Sequence, residues 1–347
     1  MACIRRDDSI DMMRGIAILC VLFAHSESIP YSMMQWLIPF YVPAFFFISG
    51  YLKKDMNYSI EHIRNRLKKL TALYFIYNFI LVFSYALINR KGMCDILCSI
   101  IGVVYSRFCL FPNISTTNNI YFLTSCNSPL WFLTALVVAE MIYTLVCWGI
   151  TKGKQWYLIF TGLIIIGYIA TYIGILLPWS LDTAMIGTVF MMAGYYYKIK
   201  EKTMKKWIIL SVIVYIIVVK FNPDANMSVR YYGPWNMSII LFVAGGITGS
   251  ILVKAVCDIC EEYFALGLIK NSLIIIGRNS LSIFAFHWFL FWILDVMVKK
   301  MDISMELNYV YGILKIGITI IICLTYNKMT HWMWKGKIFK CRNNVKK

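Results

Sequence analysis

Arg14 and His25 are the first residues in this chain whose types and spacing could do chemistry together. Both fall inside one apolar run, where an ionisable side chain is costly and points to function. On a helix turning 100° per residue, a separation of eleven leaves an offset of only about 20°. The two side chains therefore share one helix face, about 16 Å apart along the axis. Histidine titrates nearest neutral pH and is the usual general base, while arginine is a permanent cation that grips anionic groups. Such a face suits a substrate that enters at one end of the helix and reacts deeper within it. Glu140, Arg278, His287 and Lys315 are further ionisable residues in apolar surroundings. Each could instead be a buried pair that only holds helices together, such as Glu140 with Arg278 or Lys315.

The elements that must position these residues are membrane helices. Of the 347 residues, 60% are hydrophobic and only 15% are charged. An ordinary soluble domain is about 45–50% apolar and about 25% charged. The excess cannot be hidden in one soluble core, and the apolar runs are continuous rather than alternating, which excludes a transmembrane barrel. The expected fold is an all-α polytopic membrane protein. Ten spans are expected, near 12–29, 34–52, 70–89, 129–149, 156–177, 181–198, 207–221, 235–253, 272–294 and 308–326. The stretch 94–105 is too short to span and is expected at the membrane interface. Arg5 and Arg6 precede the first run with no A-x-A site, so that run is expected to stay as a helix. No repeat or linker divides the chain, so residues 1–347 read as one integral domain.

The net charge of +17 could suggest an anionic polymer, but its distribution explains it otherwise. With the N-terminus inside, 24 of the 34 Lys and Arg residues fall on cytoplasmic segments and 7 on external ones. That asymmetry predicts an N-in/C-in topology and removes the need for a nucleic-acid partner. The basic loop 53–69 and the tail 327–347 are then cytoplasmic, and the loop 90–128 is external. Cys257 and Cys260 form a lone C-x2-C with no second pair and no nearby His, too little for a metal site.

The second expected span carries Pro39 and Pro43, which must break or kink a helix there. Its sequence Pro43-Ala44-Phe45-Phe46-Phe47-Ile48-Ser49-Gly50-Tyr51, together with the Arg14-x10-His25 spacing, resembles the membrane-bound acyltransferase-3 family. Pro129-Leu130-Trp131-Phe132-Leu133 resembles the start of that family's fourth helix. Gly277-Arg278-Asn279-Ser280-Leu281-Ser282-Ile283-Phe284-Ala285-Phe286-His287 resembles a late helix that ends in His. The resemblance covers nearly the whole chain, in order, and is of the fucose 4-O-acetylase-like kind. It implies a bacterial inner-membrane enzyme that O-acylates envelope or lipid-linked glycans from acyl-CoA. One departure is that the family's R-x-x-R pair reads Arg66 and Lys69 here, and Lys lacks the bidentate fork of Arg.

On this reading an acetyl or other short acyl group passes from acetyl-CoA to a sugar hydroxyl. His25 is the base, or takes the acyl group itself before passing it on. Arg14, too far from His25 to share its reaction centre, would position the donor, helped by Arg64, Arg66 and Lys69. Glu140, His287, Trp131 and Arg278 are candidates for acceptor binding or for supporting His25. Trp131, Trp235 and Trp288 could stack on sugar faces or anchor the chain at the interface. Acyl-CoA, a glycan acceptor and membrane lipids are the expected partners, with no resident cofactor and no metal. The rival reading is a transporter or flippase, or a non-catalytic part of a glycan export machine, since broken helices and buried charges serve transport equally well.

Overall fold

The computed structural model describes residues 7–53, 60–111, 129–149, 155–263, 267–300 and 308–344. The expected loops 53–69 and 90–128 and the tail 327–347 therefore lie partly outside the described residues. Among those described, the architecture is all-helical.

The first helix, α1, spans Asp8–Ser26 and carries both Arg14 and His25. The Asp7 carboxylate caps it, accepting from the backbone N–H groups of Ser9 at 3.0 Å and Ile10 at 3.2 Å. The chain leaves α1 through Glu27 in the left-handed conformation, φ 58°. A short turn of helix, α2 (Tyr31–Met34), leads to α3 (Tyr41–Tyr51). Pro39 precedes α3, and Pro43 sits in its first turn, where the missing N–H has no intrahelical partner to lose. The expected span 34–52 is thus broken rather than kinked: residues 35–40 form turns, and the helix proper is 41–51.

Next come α4 (Ile60–Ile88) and α5 (Met93–Tyr105). The Tyr74 hydroxyl donates to the Val103 carbonyl at 2.7 Å, so α5 folds back along α4. Then follow α6 (Trp131–Gly149), α7 (Gln155–Ala170), α8 (Leu181–Ile199), the short α9 (Glu201–Met204) and α10 (Ile208–Phe221). The chain closes with α11 (Ser238–Tyr263), α12 (Gly267–Arg278), α13 (Ser280–Lys300) and α14 (Asn308–Asn344).

Three expectations change. Helix α4 starts ten residues before the expected 70, because Glu61, Arg64, Arg66, Lys68 and Lys69 are good helix formers whose charges made them look like a loop. The apolar run 272–294 is divided at Asn279 into α12 and α13. The basic tail beyond 326 continues α14 as far as Asn344.

Among the described residues, six helices are long and apolar enough to cross a membrane: α1, most of α4, α6, α11, α13 and the apolar part of α14. The expected spans at 34–52, 156–177 and 207–221 correspond to the shorter apolar helices α3, α7 and α10. The span expected at 181–198 corresponds to α8, which falls outside both sets.

At the centre, α8 packs against α3, α6 and α7, while α1 packs against α3, α11 and α12. Small residues allow these crossings. A Cβ on Gly50 would lie 1.9 Å from the Met191 carbonyl oxygen of α8, and one on Gly277 would lie 1.8 Å from the Asp11 carbonyl oxygen. The outer surface is apolar, with Leu87 81% and Leu268 86% exposed. Such a surface is stable against lipid rather than water.

Candidate active site

His25 lies in the last turn of α1 and His287 in the third turn of α13. Their imidazoles stack with centroids 5.4 Å apart and planes inclined by 28°. The neighbouring Trp288 meets His25 edge-on at 4.9 Å. His287 is fully buried, and its Nδ1 lies 2.8 Å from the Phe284 carbonyl oxygen. A carbonyl only accepts, so Nδ1 is the nitrogen that carries hydrogen. In the neutral ring Nε2 then presents a bare lone pair, and that atom makes no hydrogen bond among the described residues.

Aromatic rings build the wall behind this pair. Phe284 lies 5.9 Å from His287, and Phe132 of α6 lies 5.3 Å from Phe284. Phe45 and Phe46 of α3 approach Phe132 at 5.7 and 5.0 Å. The three sequence segments singled out for their resemblance, on α3, α6 and α13, therefore converge on one continuous surface ending at His287. Trp131 is buried at the head of α6 beside Phe132, at 6.2 Å, so it belongs to this wall rather than to an open stacking face.

At the other end of α1, Arg14 donates to the Asp11 carboxylate at 3.2 Å. Arg278, at the end of α12, donates to Asp11 at 3.0 Å and to Asp8 at 2.9 Å. Asp11 is buried, while Arg14 keeps about a quarter of its side chain exposed. Arg278 thus belongs to the charged end of α1 and not to the histidine pair. A buried carboxylate shared by two guanidinium groups fixes both forks while leaving N–H donors directed elsewhere.

Glu140 is buried in α6 and accepts a hydrogen bond from the ammonium of Lys53, which lies just after α3. Arg66 of α4 reaches its other oxygen at 2.7 Å. Neither Arg278 nor Lys315 is its partner; Lys315 pairs with Asp295 at 3.1 Å. Lys53 is itself held through its carbonyl by the Lys198 ammonium at 2.6 Å. Of the other cations near the start of α4, Arg64 and Lys68 line a groove of about 630 Å³ between α4 and α6, and Lys69 is exposed.

Sequence reasoning missed Lys53, Asp11, Asp295 and a cluster at the end of the bundle opposite Lys53. There the Arg107 guanidinium hydrogen-bonds Asp182, and Arg230 pairs with the same carboxylate at 3.1 Å. Asp182 stood inside an expected span and was the available signal; Lys53 lay just beyond one and carried none.

A family model described as an acyltransferase domain matches residues 7–328. No curated protein and no solved structure matches the chain. The matched region contains α1 with both Arg14 and His25, the aromatic wall and His287, and the chain belongs to the acyltransferase-3 family of acyltransferase enzymes.

Proposed function

We propose that the protein is a multi-pass enzyme of the bacterial inner membrane that moves an acetyl or other short acyl group from acyl-CoA to a glycan hydroxyl. The observation that carries this reading is the stacked His25–His287 pair, with His287 buried, set at the end of an aromatic wall in a chain of this family. His25 takes the proton from the acceptor hydroxyl as its oxygen attacks the thioester carbonyl. The new C–O bond forms, the C–S bond breaks, and the imidazolium returns its proton to the departing thiolate. Nε2 of His287 accepts a hydrogen bond from the sugar and orients it.

The donor enters at the Arg14 end of α1. Arg14 grips its anionic part, with Arg64 and Lys69 drawing it in by charge. Arg66 is engaged with Glu140 and positions α4 instead. In this reading the chain crosses the membrane ten times, N-in and C-in, with the shorter helices counted among the spans. We place it with the fucose 4-O-acetylase-like members of the family, acting on a lipid-linked or surface glycan.

The test uses purified protein in lipid nanodiscs with acetyl-CoA and a bacterial envelope glycan. Free thiol release should accompany an acyl mass gain on the glycan, and Arg14→Ala should weaken donor binding in calorimetry. Transport of the glycan without thiol release would instead establish the transporter reading.

A further inference from the structure

A cavity of about 700 Å³ opens where the chain after α7 meets the loop joining α10 to α11. Its walls are largely aromatic and uncharged apart from Arg230: Tyr168 and Tyr172 come from α7 and the chain after it, Tyr231, Trp235 and Asn236 from the loop. Tyr172 is 69% and Trp235 67% exposed. Tyr232, also lining the cavity, is buried, and its hydroxyl makes no hydrogen bond among the described residues.

The frame around it is firmly built. Arg230, in the left-handed conformation at φ 57°, donates to the carbonyls of Ala170, Ile173 at 2.7 Å and Ile175 at 3.0 Å, and pairs with Asp182. It thereby ties the end of α7 to the loop. Asn226 and Tyr231 exchange two backbone hydrogen bonds, at 2.6 and 3.0 Å. The Asn222 amide donates to the carbonyls of Tyr232 at 2.9 Å and Ser238 at 3.3 Å. Gly233, at φ 131°, passes so close to Asn222 that a Cβ would fall 1.7 Å from its Oδ1. Glycine alone fits that backbone.

The chemistry of the lining selects a ligand. Arg230 is the only charged residue among the described residues that line it, and its guanidinium is committed to three carbonyls and a carboxylate, so an anion finds no cation to bind among them. A lipid chain would need walls without amides and hydroxyls. Aromatic rings carry negative faces, which attract the weakly positive C–H faces of a pyranose ring. Amides and phenols supply donors and acceptors to its hydroxyl edge. The volume lies within the range of small-ligand sites, about 300–1,000 Å³.

We propose that this cavity binds a neutral sugar ring of the glycan acceptor, a docking site separate from the histidine pair. The proposal rests on the acyltransfer reading for its acceptor, and its test separates the two. Full-length protein in phosphatidylcholine nanodiscs is titrated with neutral gluco-, galacto- and manno-oligosaccharides, and with sialyllactose as the anionic counterpart. Binding is read by saturation-transfer NMR and tryptophan fluorescence. A neutral oligosaccharide should bind in preference to sialyllactose. Trp235→Ala and Tyr172→Ala should each weaken binding at least tenfold without lowering the melting temperature, since both side chains are largely exposed.

In turnover with a glycan acceptor, the same variants should raise the acceptor KM at least tenfold and leave the donor KM unchanged. No binding by any neutral oligosaccharide, or equal binding in the wild type and the double variant, overturns the site. So does an affinity that follows the nanodisc lipid instead of the sugar, which would mark these rings as interface anchors. Sugar binding that depends on Trp235 in a protein without acyl transfer sinks the enzymatic reading and keeps the site. Normal transfer with an unchanged acceptor KM in both variants does the reverse.

Discussion

The His25 ring lies stacked over His287 at 5.4 Å, although the two residues belong to the first and next-to-last helices of the chain. Stacking on a buried neighbour leaves His25 few orientations, and the neighbour's Nδ1 is anchored to the Phe284 carbonyl. Removing either imidazole should therefore damage transfer. We expect His25→Ala to lower the rate by about 100- to 10,000-fold, the usual worth of a positioned base. His287→Ala should raise the acceptor KM more than it lowers donor binding. Membrane expression should be unchanged in both. Wild-type O-acylation by His25→Ala would falsify the assignment of the base.

Glu140 makes a different prediction, because its two partners are cations. Glu140→Ala strands Lys53, which is buried, without its counter-charge. A broken buried pair costs about 3–5 kcal/mol. The melting temperature in detergent should fall clearly, while the double variant Lys53→Met/Glu140→Leu should recover much of the loss. Full stability in Glu140→Ala with loss of activity would give the carboxylate a role in the chemistry.

Close helix crossings set a third expectation. A Cβ at Gly50 or at Gly277 would meet a backbone carbonyl oxygen at under 2 Å, and backbone cannot rotate away. Gly50→Ala and Gly277→Ala should each destabilise the protein by about 1–3 kcal/mol, as overpacked sites do. Gly92, where nothing stands within 4 Å of a built Cβ, is the control and should tolerate Ala. Equal melting temperatures for all three would mean that the α3–α8 and α1–α12 crossings are looser than described.

The proposed topology can be checked with native thiols. Cys94 and Cys98 are free and exposed at the start of α5, in the segment assigned to the outside. A membrane-impermeant maleimide added to intact cells should label them. Labelling only after the cytoplasmic face is opened would reverse the orientation.

How far the sequence carried these conclusions depends on what each residue's neighbours looked like. Arg14 and His25 were legible because an ionisable group in an apolar run is conspicuous and one helix relates the two. The positions of α1, α6, α8 and α10, and the starts of α11 and α14, followed from long apolar runs. The break at Asn279 did not, since Arg278, Asn279 and Ser280 are flanked by long apolar stretches that keep the averaged hydropathy high across them. Nor did the early start of α4, where charges that form helix well resemble a loop. Partners such as Lys53 for Glu140 were invisible, since 87 residues separate them and no periodicity links one helix to another.

The aromatic wall that joins Phe45, Phe46, Phe132 and Phe284 to His287 has a consequence for fidelity. An activated thioester beside a base is also open to hydrolysis, and water is the most abundant hydroxyl in the cell. Rings offer water nothing to bond to, so the side of the site they cover stays dry. Polar substitutions along that wall, such as Phe132→Ser, should therefore raise the fraction of donor cleaved with no glycan modified, a leak that counts of product alone would not reveal.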